Sequence, residues 1–142
     1  MDFAHAIGVE FENIDRELRL VQLLIRKSED NPLDEIEIRA GALSLSTIYN
    51  GIEKVIQFAL KDKNVAIPSG GNWHTALLEL AESHSLFNNQ TRTDLLGFMA
   101  FRHFIRHAYS FEIDPDAIME MLRSCPETIG SFRNQIRSSS ER

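Results

Sequence analysis

The sequence predicts an all-α protein, an up-and-down bundle of about five helices, two long and the others shorter. Along most of the chain, apolar residues recur at alternating steps of three and four, the spacing of one face of a helix. Short segments rich in proline, glycine and asparagine separate these runs. No alternation typical of a strand competes with this pattern.

The first predicted helix runs from Asp2 to about Glu29. Its main apolar stripe consists of Ile7, Phe11, Ile14, Leu18, Val21 and Ile25. Leu20, Leu23 and Leu24 widen this face, which predicts burial against more than one neighbouring helix. The opposite face is acidic, as expected of a solvated helix surface.

The second long helix is predicted to extend to about residue 62. Asn31 fits its N-cap and Pro32 its first helical position. Gly41 and Gly51 lie inside the helix, where each costs roughly 1 kcal/mol relative to alanine. We therefore expect them to mark close approach of a neighbouring helix. Tyr49 is assigned to the core, with its hydroxyl at the rim.

The middle of the chain contains the clearest loop, residues 68–71. Its paired glycines lack the lysine and Ser/Thr of a phosphate-binding loop, so we interpret it as a turn. Asn72 is the predicted cap of a short third helix. His74 and His84 are too isolated in the sequence to be proposed as ligands.

The fourth helix is expected to begin at a capping box, with Thr91 as N-cap and Asp94 at the third position. The last helix is predicted to start at Asp114 and Pro115, with Asp114 as its N-cap and Pro115 in its first turn. Pro126 is expected to break or kink that helix. Residues 1–137 then form a single domain, followed by a disordered tail at 138–142.

The composition limits the classes of function. With 142 residues and a net charge of −6, the chain is one domain and no general polyanion binder. Its single cysteine excludes an internal disulfide, and no zinc-ligand spacing is present. We expect a cytoplasmic protein, because leader-like and membrane-spanning segments are absent from the sequence.

The fourth helix carries the chemistry, because residues 102–109 hold two arginines, two histidines and a tyrosine. A helical wheel assigns Phe98, Phe101, Phe104, Ile105 and Ala108 to one arc, and Arg102, His103, Arg106 and His107 to the opposite arc. Between Arg92 and Tyr109 the only acid is Asp94, so a local basic island exists.

These residue types suit cleavage of RNA. That reaction needs a base, an acid and a positively charged group that contacts the phosphate. His107 can exchange protons near neutral pH, and Arg102 can hold a phosphate through two donors. The two residues lie about 140° apart on the wheel. We therefore expect a two-fold dimer to complete the site across the fourth helix, with Leu96 and Met99 at the subunit contact.

The spacing Arg102-x4-His107-x-Tyr109 resembles the motif of the HepT group of HEPN-domain ribonuclease toxins. The likeness extends over about residues 40 to 125. It includes the polar residue directly after the arginine, here His103, and three further segments, Tyr49–Glu53, Trp73–His74 and Phe111–Asp114.

The resemblance implies a HEPN-like bundle and a metal-independent endoribonuclease without a cofactor, the toxin of a type VII toxin-antitoxin system. Arg102 and His107 would be catalytic, with His103 and Arg106 binding RNA or supporting the site. The implied partner is a minimal nucleotidyltransferase antitoxin of the MntA type, which transfers AMP to the motif tyrosine, here Tyr109. The implied assembly is a homodimer, which can form a larger complex with the antitoxin.

Two alternatives stay open. The first is a non-catalytic HEPN-like module that binds a nucleotide or a nucleotidyltransferase subunit, in which the cations serve affinity alone. The second uses His103 and His107, four residues apart, as a metal pair, although the sequence offers no evident third ligand.

Overall fold

The computed structural model describes residues 1–107 and 113–141 of the chain. It contains five helices, α1 (Phe3–Asp30), α2 (Glu35–Asp62), α3 (Trp73–Ser83), α4 (Asn89–His107) and α5 (Pro115–Ser140). No strand occurs in the described ranges, so the predicted all-α bundle is confirmed. None of these helices combines the length and the apolar character needed to cross a membrane.

The turn between α1 and α2 differs from the prediction. Asn31 is the C-cap of α1, and its backbone N–H donates to the Lys27 carbonyl. Asp34 caps α2 instead, because its carboxylate accepts from the Glu37 N–H at 2.8 Å while Glu37 accepts from the Asp34 N–H at 3.0 Å. This reciprocal capping box satisfies two backbone donors, which the side chain of Asn31 could not do.

The start of α4 also lies earlier than predicted. Asn88 provides the cap, since its side-chain oxygen accepts from the Thr91 N–H at 2.9 Å. Thr91 is buried inside the helix, where its hydroxyl accepts from Gln135 of α5 at 2.7 Å. The predicted cap at Thr91 is therefore wrong, because this threonine joins α4 to α5.

Helix α5 begins as predicted, with Asp114 as N-cap and Pro115 in the first turn. The predicted break at Pro126 is wrong, because α5 continues through it to Ser140. Cys125 and Ile129 on either side are fully or almost fully buried, and this packing offsets the roughly 3 kcal/mol cost of an interior proline. The helix continues through residues 138–140, where a tail was expected, and buries Ser139.

Helix α2 is the centre of the bundle and contacts each of the other four helices. Its fully buried side chains include Ile48, Tyr49, Ile52, Val55, Ile56 and Leu60. The wide apolar face predicted for α1 is buried only in part. Leu24 is buried, whereas Leu20 and Leu23 are 37% and 41% exposed.

Close helix approach at the two glycines of α2 is confirmed. A Cβ atom on Gly51 would lie 2.8 Å from Cγ1 of Ile14 in α1, and one on Gly41 would lie 3.1 Å from Cδ1 of Leu122 in α5. Each glycine therefore provides the space for a branched side chain of a neighbouring helix.

We expect Gly51→Ala to lower the free energy of unfolding by about 1–3 kcal/mol, because the added methyl group displaces the Ile14 side chain from a packed core. Gly130→Ala in α5 is the matched control, since its Cβ would meet nothing within 4 Å. That substitution should raise stability by up to about 1 kcal/mol through helix propensity. Urea unfolding of both variants measures the difference, and equal stabilities would contradict the packing described for Gly51.

Candidate functional site

Helix α4 holds four of the five residues that the sequence assigned to the site. Arg102, His103, Arg106 and His107 lie in its last two turns. His103, Arg106 and His107 are exposed, whereas Arg102 is half-buried. Tyr109, the fifth residue, lies outside the described residues. The cations at the end of α4 also complement the negative end of the helix dipole.

The predicted opposition of an apolar and a cationic arc on α4 is wrong for two residues. The buried face of α4 contains Thr91, Leu95 and Phe98, and Arg102 follows Phe98 at about 40° on the helical wheel. Arg102 therefore lies on the side of α4 that packs on the bundle. Phe104, assigned to the apolar arc, is 45% exposed.

The positive charge of Arg102 acts on the buried Tyr49 of α2. The side chain of Tyr49 is 0% exposed, and its hydroxyl has no hydrogen-bond partner among the described residues. Burial raises the pKa of Tyr49, the Glu53 carboxylate raises it further, and the positive charge of Arg102 acts in the opposite direction. Glu53 is thus near the phenol, although the hydroxyl does not reach hydrogen-bond geometry with it. The expectation of a hydroxyl at the core rim is wrong.

Glu53 connects α2 to α3. The residue is only 5% exposed, and its carboxylate lies 2.6 Å from Nδ1 of His74. The His74 ring is stacked beside the Trp73 indole, with ring centroids 3.7 Å apart. His74 is therefore not isolated, contrary to the interpretation from the sequence.

Helix α3 also contacts α4 next to the hydrogen bond between Glu53 and His74. The hydroxyl of Thr75 lies 4.0 Å from the sulfur of Met99, which is about one turn before Arg102. Tyr49, Glu53, His74 and Arg102, from three helices, thus form what we call the polar cluster. The sequence contained one signal for it, because Glu53 falls on the buried face of α2, four residues after Tyr49.

The exposed cations of α4 form a second group. The rings of His103 and His107 lie 4.6 Å apart between centroids. Within residues 1–107 and 113–141, the side chains of Arg102, Arg106 and His107 form no ion pair with an acid. Nor do three histidine, cysteine or acidic side chains of these ranges converge as metal ligands would. Among the described residues, no acid therefore competes with an anionic ligand for the donors of Arg102, Arg106 and His107.

The fold and the arrangement of α4 define a small helical protein with an arginine and histidine site on one helix. A family model described as HepT-like protein matches residues 40–142, well over half of the chain. The chain therefore belongs to the HepT-like family, as the motif predicted. The match covers the polar cluster, all of α4 and Tyr109. Comparison with curated proteins and with solved structures gave no match.

Proposed function

We propose that this chain is the toxin component of a type VII toxin-antitoxin system, a HEPN-type endoribonuclease that cleaves RNA without a metal ion. One observation carries the proposal. Within the segment matched to the HepT-like family, Arg102 and His107 stand in the last two turns of α4 without ion-pair partners among the described residues. A guanidinium and an imidazole are groups that metal-free phosphodiester cleavage can use for charge stabilisation and proton transfer.

Arg102 is the phosphate-binding group of this proposal. Its side chain is half-buried and its positive charge acts on the buried Tyr49 of α2, so its position is more restricted than that of a fully exposed arginine. A restricted guanidinium can bind two phosphate oxygens and stabilise the charge that develops in the transition state. His107 is exposed and serves as the base that takes the proton of the 2′-hydroxyl.

The proposed enzyme is a homodimer. Arg102 and His107 of one chain diverge by about 140° around α4, so one chain alone does not direct both at the same phosphate. Met99, expected at the subunit contact, packs against the core of its own chain and contacts Thr75 of α3. Phe104, in contrast, is 45% exposed among the cations of α4. An apolar side chain in this position suits contact with a second copy, in which the two α4 helices form one cleft. His103 and Arg106 would line that cleft and bind RNA.

Induction in bacteria tests the proposed activity. We expect the wild-type chain to arrest growth and to fragment cellular RNA, whereas Arg102→Ala and His107→Ala leave both growth and RNA intact. Growth and RNA integrity are followed together on the same cultures. Arrest with intact RNA would instead support a non-catalytic module that binds a nucleotide or a nucleotidyltransferase subunit.

The proposed partner is a minimal nucleotidyltransferase of the MntA type, which neutralises the toxin by transferring AMP to Tyr109. In the sequence Tyr109 follows His107 by two residues. Addition of AMP there places bulk and negative charge next to the cations of α4, where the added phosphate competes with RNA.

We expect Tyr109→Phe to remain toxic and to escape the antitoxin, because the acceptor hydroxyl is lost. The chain has two tyrosines, and Tyr49 is 0% exposed, so Tyr49→Phe is the matched control and should still be neutralised. Co-expression with the nucleotidyltransferase, followed by mass measurement of the intact chain, reads out the added AMP. Full neutralisation of Tyr109→Phe would show that modification of this residue is not the switch.

A further inference from the structure

The burial of Glu53 needs a physical reason. Its neighbours on the inner face of α2 include Ile52 and Ile56, both 0% exposed. An ionised carboxylate in such surroundings loses much of its hydration, and an apolar side chain of similar size would fill the space without that cost. The partner of Glu53 is His74, which lies 21 residues away in the sequence and 2.6 Å away in the structure. Glu53 therefore serves to hold a particular imidazole.

The imidazole of His74 is held on two sides. Nδ1 forms a hydrogen bond with the Glu53 carboxylate. The Trp73 ring lies beside the imidazole, with an angle of 32° between the two ring planes. The His74 side chain remains 32% exposed, so solvent or a ligand can reach it. When a carboxylate fixes one ring nitrogen, the imidazole exchanges its proton through the other, here Nε2. This is the arrangement of a proton-transfer residue with its orienting acid.

His74 lies at the same end of the bundle as Arg102. Thr75, the next residue, contacts Met99 about one turn before Arg102 on α4. Tyr49, about one turn before Glu53 on α2, lies within the field of the Arg102 charge. His107 is exposed on another side of α4. The motif of α4 thus supplies one acid/base group, and the polar cluster, to which the phosphate-binding Arg102 belongs, contains a second one.

We propose that His74, oriented by Glu53, is the general acid of the RNA cleavage, a role that rests on the proposed function above. His107 from the other copy of the dimer takes the proton of the 2′-hydroxyl, and the 2′-oxygen forms a bond to phosphorus. The bond from phosphorus to the 5′-oxygen breaks, and Nε2–H of His74 gives its proton to that oxygen. The products are a 2′,3′-cyclic phosphate and a 5′-hydroxyl. His107 then gives its extra proton to solvent, and His74 takes one up from solvent.

A sulfur-substituted RNA tests this role, because a thiolate leaves without being protonated. The substrates are a short RNA and the same RNA with sulfur in place of the scissile 5′-oxygen. We expect His74→Asn, whose amide can still donate to Glu53, to lower kcat on the oxygen substrate at least about 100-fold. KM should change little, and the rate on the sulfur substrate should stay close to that of the wild type. His107→Ala should be slow on both substrates, since loss of the base is not bypassed.

His84→Ala is the control, because His84 is the exposed C-cap of α3. This variant should keep wild-type rates on both substrates. Glu53→Gln is a second variant that keeps the side-chain shape. We expect it to lower kcat on the oxygen substrate less than His74→Asn does, and to cleave the sulfur substrate at the wild-type rate. Equal losses on both substrates, or no loss, would overturn the role of His74 while leaving the nuclease in place. Absence of cleavage by the wild-type dimer would overturn the role of His74 together with the proposed function.

Discussion

Replacement of Arg102 by alanine is expected to reduce RNA cleavage by about a thousandfold, because it removes the preorganised positive charge at the phosphate. Arg102 is half-buried on the side of α4 that packs on the bundle, whereas His103, Arg106 and His107 of the same helix are exposed. Arg102→Lys retains the charge but not the planar pair of donors, so it should recover only a minor part of the rate. Single-turnover cleavage of a labelled RNA measures both variants.

Arg106→Ala provides the comparison for this prediction. Arg106 is exposed one turn later on the same helix and belongs to the last turn of α4. We expect its loss to weaken RNA binding about tenfold through one missing phosphate contact, with little effect on the rate at saturating RNA. The melting temperature of each variant shows whether the fold is retained. Similar losses of rate for Arg102→Ala and Arg106→Ala would contradict the special position of Arg102.

Mixing two inactive variants is expected to restore activity. In a statistical mixture of Arg102→Ala and His107→Ala chains, half of the dimers contain one of each, and one of their two composite sites has both wild-type residues. The mixture should therefore regain about a quarter of the wild-type activity. Each variant alone has no complete site and should cleave almost no RNA. Cleavage by the mixture is therefore easy to detect.

The control for the mixture is Arg102→Ala combined with the double variant that lacks both residues. No composite site in that mixture is complete, so it should remain inactive. Recovery in the first mixture and not in the second assigns Arg102 and His107 of one site to different chains. Absence of recovery, or a monomer that cleaves RNA at the full rate, would contradict the shared site.

The sequence was sufficient for the fold because local signals determine most of its helices. Asp2 and Asp114 cap α1 and α5, and the spacing of apolar residues predicts which face each helix buries. The predicted helix boundaries were wrong where a contact that the local sequence signals do not show determined the structure. Asp34 replaced Asn31 as a cap through its pairing with Glu37, and burial of the α5 residues around Pro126 kept that helix continuous.

The site was predictable only in part. The candidate residues of α4 were chosen from their spacing. The face of Arg102 was assigned by centring the apolar arc on the phenylalanines. The buried face of α4 is instead centred on Thr91, Leu95 and Phe98. Arg102 therefore lies on the side that packs on the bundle, while Phe104 is exposed. The contact of Glu53 with His74 depends on how α3 packs on α2, a tertiary arrangement that the spacing within either helix does not contain.

The most direct test of the central claim is cleavage of RNA by the purified wild-type protein in the presence of EDTA. An active site made of a guanidinium and imidazoles predicts undiminished cleavage, with fragments that end in a 2′,3′-cyclic phosphate and begin with a 5′-hydroxyl. Arg102→Ala and His107→Ala, assayed in parallel, should leave the RNA whole. Loss of cleavage on chelation, or the same cleavage by both variants, would contradict the assignment of the reaction to these side chains.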